Sequence, residues 1–319
     1  LQVQIQSAVK ERKPEMNMFE ELRSYNEVWD NRRLFTVCIE FMYWYEINEN
    51  LDASGQGLPE IEKSYWAMIE PLRGRIDYFS KDESVKRSKP KRDTLDLFPH
   101  SLRHYSHNTL NGINQITLLQ GAEKDKSDVF FDAHLTEFSY QRMGLGIEEV
   151  LANPQRFVQQ CVASMAGVKF KSGIGGFSYN YEDVYINSNP HLQDPIIGRY
   201  RGVNVINPWR YRDLDGVPTV NWLTLVSDAD IVRLGGWEAL AAQVQTPLVL
   251  HRLTHGALLQ AGPQPLVGAV NQQERLEVYH AVGKILEPVK TATEVQSKAG
   301  GGRAEANEWM HRFFRPCPF

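Results

Sequence analysis

Residues 34–45, LFTVCIEFMYWY, leave this chain few folds to choose from. The run is too short to cross a bilayer, which takes about 20 apolar residues in a helix, and it carries Glu40. Its β-branched and aromatic side chains suit a pleated, packed surface. The segment is therefore expected to be a buried strand.

Other segments follow the same logic. INQITLLQGA (113–122) and VFFDAHLTEFS (129–139) read as two strands joined by the charged turn EKDKSD. In the second, Phe131, Ala133, Leu135 and Glu137 alternate with Phe130, Asp132, His134 and Thr136, which predicts one solvated face. VKFKSGIGGFSYNYE (168–182) predicts a hairpin with glycines in its turn. Val220 to Val226 reads as a strand, and Asp228 to Leu234 as a short helix capped by Ser227 or Asp228. LVLHRLTHG and ALLQAG, within 248–262, read as an antiparallel pair.

Helical spacing marks residues 17–31, as a short helix or an ordered lead-in, and 60–73, 154–165, 237–244, 276–286 and 304–314 as helices, with Pro154 suited to a first turn and Pro288 ending the helix at 276–286. Strands joined by hairpins, with helices between groups, predict an α+β chain of antiparallel sheets flanked by helices, not a doubly wound sheet. A chain of 319 residues fits one continuous domain over 1–319. The alternative is two lobes, 1–190 and 216–319, meeting at a loop-rich connector over 191–215.

A formal net charge of −4 argues against direct nucleic-acid binding, which wants a basic surface. The basic segment SKDESVKRSKPKRD (80–93) has no interleaved aromatics for base stacking and reads as a solvated loop. Cys38, Cys161 and Cys317 form no CxxC and fit a reducing compartment. No membrane span or secretory signal is visible, so the expected location is cytoplasmic.

Candidate chemistry is thin. GIGGFS (173–178) has Ser178 where the dinucleotide pattern needs glycine, and no helix follows to face a pyrophosphate. His251 and His255 have zinc-like spacing, but in a β-like segment that lacks the glutamate of HExxH. His100, His104 and His107 have no interleaved carboxylate. There is no GxSxG, and Cys161 sits in a helical pattern with no positioned histidine. Neither a metal nor a cofactor is expected. The carboxylate pairs Glu148–Glu149, Glu182–Asp183 and Asp228–Asp230 suit solvated or capping positions.

NPWRYRDLDG (207–216) differs. Trp209, Arg210 and Tyr211 are types enriched at interface hot spots, and they stand beside Asp213 and Asp215 in a loop that turn residues push outward. The aromatics either pin the loop to the core or meet a partner. With Glu182 and Asp183, these residues are the candidate partner-binding set.

Val220-Asn221-Trp222-Leu223-Thr224, Leu234-Gly235-Gly236, the turn from Ala261-Gly262 through Pro265, Gly268, Val270 and Asn271, and Tyr279, Val282, Leu286 and Pro288 resemble the type VI secretion immunity family. This family includes TsiT and TsiV and was long catalogued as a domain of unknown function. GIGGFS resembles its Gly-Gly turn, and EWMHRFF its closing W-x-x-R-F. The matches are clear in the second half of the chain. In the first half only the order of elements agrees.

The resemblance implies a non-catalytic cytoplasmic protein that binds a co-encoded effector toxin, often a nuclease, and neutralises it by direct occlusion. Binding away from the effector's active site is a second route. Two other readings stay open: a hydrolase with scattered His and carboxylate groups, or an adaptor that loads the effector. A pocket with His104, His251 or His255 beside a carboxylate would favour the hydrolase.

Overall fold

The computed structural model describes residues 18–24, 28–29, 32–33, 35–81, 86–106, 112–121, 127–136, 139–181, 198–204, 215–292 and 303–315. Eleven strands are present among them: β1 (Val28–Trp29), β2 (Arg32–Arg33), β3 (Phe35–Tyr45), β4 (Tyr78–Lys81), β5 (Gln115–Leu119), β6 (Phe130–His134), β7 (Ser139–Leu145), β8 (Ser172–Tyr181), β9 (Leu223–Val226), β10 (Leu248–Arg252) and β11 (Ala257–Ala261). The helices are α1 (Met18–Ser24), α2 (Ile47–Asn50), α3 (Pro59–Ile69), α4 (Leu97–Arg103), α5 (Ile147–Ala152), α6 (Pro154–Ser164), α7 (Asp228–Arg233), α8 (Trp237–Gln243), α9 (Glu277–Leu286) and α10 (Arg303–Met310).

β1 and β2 form a small ladder. The other nine strands form one antiparallel sheet in the order β10-β11-β9-β8-β3-β7-β6-β5-β4. Residues 35–45 of the apolar run thus become β3, a long central strand between β7 and β8. The sheet takes strands from both sides of the 191–215 segment.

The odd-numbered side chains of β3 face the helices. Tyr43 Oη and Ser64 Oγ of α3 are 2.6 Å apart, Tyr65 stands edge-on to Phe131 at 5.1 Å, and Gln141 Nε2 donates to the Ile61 carbonyl. Val37, Ile39, Phe41, Tyr43 and Tyr45 are buried on this side. Burying each such side chain contributes about 1.5–3 kcal/mol.

Several local expectations change. Within the 17–31 segment the helix covers Met18–Ser24, while Val28–Trp29 form a strand paired with Arg32–Arg33. Residues 172–181 form one unbroken strand, not a hairpin, pairing with both β3 and β9. The glycines serve close packing: a Cβ on Gly173 would sit 2.5 Å from Leu225 Cδ1 and 2.7 Å from the Met42 carbonyl oxygen. β6 has no solvated face, because Asp132 and His134 are as buried as Phe131 and Ala133. The β9 strand begins only at Leu223. Ahead of it Asn221 Oδ1 accepts the Trp222 N–H and Thr224 Oγ1 accepts the Asn221 N–H, and such side-chain bonds compete with a ladder.

The two ends of the sheet are finished differently. At β4, Phe79 exchanges both backbone hydrogen bonds with Ser88 at 2.8 Å, so the chain covers its own edge. At β10 no such bridge exists among the described residues.

Candidate partner-binding surface

Of the seven expected partner-binding residues, Glu182, Asp183, Trp209, Arg210, Tyr211 and Asp213 lie outside the described residues. Asp215 is described, and its side chain is 94% exposed. It stands at the lip of a cleft of about 440 Å³ lined by Glu49, Lys169, Lys171, Asp228, Asp230 and His255, among others.

The cleft is built by the end of β9. Ser227 follows that strand and caps α7, accepting the Asp230 N–H at 3.3 Å and donating to Asp230 Oδ2 at 2.8 Å. This is the helix start that the Ser227–Asp228 pattern predicts. Asp230 is buried, and desolvation pushes its carboxyl above the ordinary value against the pull of Ser227 and Arg233. Arg233 Nη1 lies 3.1 Å from Asp230 and 3.8 Å from Asp215, joining the buried carboxylate to the exposed one.

His255 lies in the β10–β11 turn, not in a strand, and its Nδ1 is 3.3 Å from Asp228 Oδ2. The turn presses onto β9 through Gly256, at φ +104°, where a Cβ would meet the Val226 carbonyl oxygen at 2.3 Å. On the other wall, Asn50 fixes Lys169 by accepting its N–H at 3.0 Å and donating to its carbonyl at 2.8 Å. Lys171 pairs with Glu46.

Sequence reasoning missed Lys169, Lys171 and Arg233, because lysines and arginines carry no motif when strand pairing gathers them. The His255–Asp228 pair meets one condition set for a hydrolase. The Ser227 hydroxyl, however, donates to Asp230, so it serves the helix cap instead of standing as a nucleophile beside a base. His251 pairs with Gln260 at 2.9 Å, and His104 stacks on His100 at 4.2 Å. Burial pushes the Cys38 and Cys161 thiols well up, which keeps them unreactive.

A second group of ionisable residues lies at the middle of the sheet, on the face away from α3. Asp132 Oδ2 accepts from Arg142 Nε at 2.9 Å and from Tyr140 Oη at 3.0 Å, and its Oδ1 accepts from Thr117 at 3.1 Å. Glu40 Oε1 lies 3.6 Å from Arg142 Nη1 and accepts no hydrogen bond. Desolvation raises the Glu40 carboxyl, with Arg142 only partly opposing it. All three charged residues are buried, so this group is structural and closed to a partner.

The fold is shared with a secretion-system protein. The solved structure of the Pseudomonas aeruginosa T6SS protein PA0821 is similar, with a TM-score of 0.76 and 14% sequence identity, covering 91% of this chain and 87% of that one. The family model TsiV, described as type VI immunity for VRR-NUC, matches residues 138–313, and the chain belongs to this family. No curated protein matches the sequence. The matched segment contains Lys169, Lys171, Asp215, α7 and His255, so most of the cleft lies within it.

Proposed function

We propose that this protein binds a VRR-NUC nuclease effector directly and neutralises it by occluding its active site or its nucleic-acid track, without catalysis of its own. The family match over 138–313 carries this reading. A nuclease needs basic groups along the path of its substrate, and exposed carboxylates such as Asp215 and Asp228 complement them. Complementary charge chiefly speeds association and selects the partner. The contact includes the rim of the cleft around Asp215, and Glu182, Asp183, Trp209, Arg210, Tyr211 and Asp213 contribute to binding as well. The protein acts as one unit in the cytoplasm, where a nuclease meets nucleic acid. No helix among the described residues is long and apolar enough to cross a membrane.

The test is co-expression with the neighbouring nuclease gene, scoring growth and then co-purification. Rescue with a stable complex, weakened by the paired substitution Asp215→Lys and Asp228→Lys, is the expected result. Rescue without a complex would overturn occlusion and point to destruction of the toxin or its product.

A further inference from the structure

We propose that the β10 edge, which no strand or bridge covers among the described residues, is where a second copy of this chain docks, so that two sheets join through paired β10 strands. This does not depend on the effector reading. The two ends of the sheet differ in how they are closed. An unpaired edge invites pairing with another chain, and proteins blunt such edges with cover, proline or charge. The β4 edge is covered by Ser88. β10 is guarded only at its ends, by Pro247 before it and Arg252 at its close. Its middle, Val249-Leu250-His251, carries no such guard, and Val249 is 42% exposed, one of the few large apolar side chains left so open among the described residues.

The hydrogen-bond phase shows what the edge offers. Leu253 N–H bonds to Gly256 O across the turn, and Ala261 N–H bonds to Trp222 O on the far side of β11. Antiparallel alternation then gives His251 and Val249 to the β11 ladder and turns the peptide groups of Leu250 and Arg252 outward. The Leu248 N–H is already bonded to Gln245 O.

A two-fold axis at Leu250 uses these groups well. Leu250 exchanges both bonds with its own copy, and Arg252 donates to Leu248 of the second copy. Arg252 then meets leucine, not another arginine, and Val249 meets His251. A register centred on Arg252 would set like charges together.

The helix beside the edge has the same self-complementarity. Between α9 and the start of β10 runs a groove of about 640 Å³, lined by Pro247, Leu248, Val278, Ala281 and Ile285, with Glu277 and Lys284 also on its walls. Glu277, Ala281 and Lys284 share one helical face. Opposite charges flank a small central residue. With the axis through the Leu250 pair passing by Ala281 as well, Glu277 of each copy is set against Lys284 of the other. An isologous interface needs a patch that complements itself in this way, and that property selects a second copy over an unrelated partner.

The experiment is sedimentation velocity on the full chain across the micromolar range, with thermal melts to check that each variant folds. A concentration-dependent species of twice the chain mass is expected. Val249→Lys and Glu277→Lys should each weaken it by roughly ten-fold, since each sets a charge against a poor or like partner. The double variant Glu277→Lys/Lys284→Glu should restore association, which a merely structural role for either residue would not produce. A monomer at every concentration would overturn the proposal, as would a dimer indifferent to these changes. A chain monomeric alone whose complex with the nuclease is lost in Val249→Lys would overturn it too and assign the strand to the effector.

Discussion

Asp132 and Asp228 are the same residue type in opposite circumstances. Asp132 sits inside the sheet with Arg142, Tyr140 and Thr117 placed around it. Asp228 is mostly exposed and has His255 3.3 Å away. Both groups set carboxylates beside basic side chains, so composition does not distinguish them; solvent does. Inside, an ion without its partner costs several kcal/mol, so the network must be complete before the sheet is stable. Outside, water compensates each charge, and an exposed pair is worth about 0–1 kcal/mol. The inner group holds the fold, while the outer one keeps its charges in contact with water.

That contrast can be broken at either side. The largest effect is expected from Arg142→Met, which leaves Asp132 and Glu40 buried without their cation and should cost about 3–5 kcal/mol in urea unfolding. A loss below about 1 kcal/mol would mean that the inner group is not an ionic unit. Asp132→Asn keeps the shape but removes the charge that accepts from Arg142, and should cost about 1.5–3 kcal/mol.

Glu40 sharpens the comparison within the network itself. Burial raises its carboxyl above the ordinary 4.5, so the folded protein holds a proton that the unfolded chain releases. Stability from this group is complete below the unfolded value and is lost as pH rises through the folded one. Glu40→Gln should therefore match the parent at acid pH and equal or exceed it at neutral pH, read from paired urea midpoints. A parent that gains on the variant as pH rises would reverse the assignment.

The smallest stability effect belongs to the cleft. Asp228→Asn should shift unfolding by no more than about 0.5 kcal/mol, yet slow capture of the nuclease effector in a salt-dependent way. Unchanged association in low salt would remove this carboxylate from the contact surface.

The comparison also explains what was legible in the sequence. β3, α6, α7 and the β10–β11 pair follow from local pattern, because burial and capping act over a few residues. Ser227 is the clearest case, since its hydroxyl caps α7 within three residues of itself. The course of β8 was hidden because its glycines have no local turn to make. They are required by Leu225 and Met42, residues far away in the chain. The alternation in β6 suggested a solvated face for the same reason: Arg142, which makes burial of Asp132 tolerable, arrives on another strand. Asp215 belongs to the interface-type residues of 207–216, whereas Lys169, Lys171 and His255 reach the cleft beside it only through tertiary packing.

The central position of β3 has a consequence for how the chain is made. Synthesis delivers this apolar, β-prone strand before either of its neighbours, for Tyr45 pairs with Ser139 and Thr36 with Asn180. Until both later strands emerge, β3 has neither of its neighbours. Pairings this distant make folding slow, and an unpaired hydrophobic strand is prone to aggregate while it waits. The strand that anchors the finished sheet is thus the one the cell must shield longest on the ribosome.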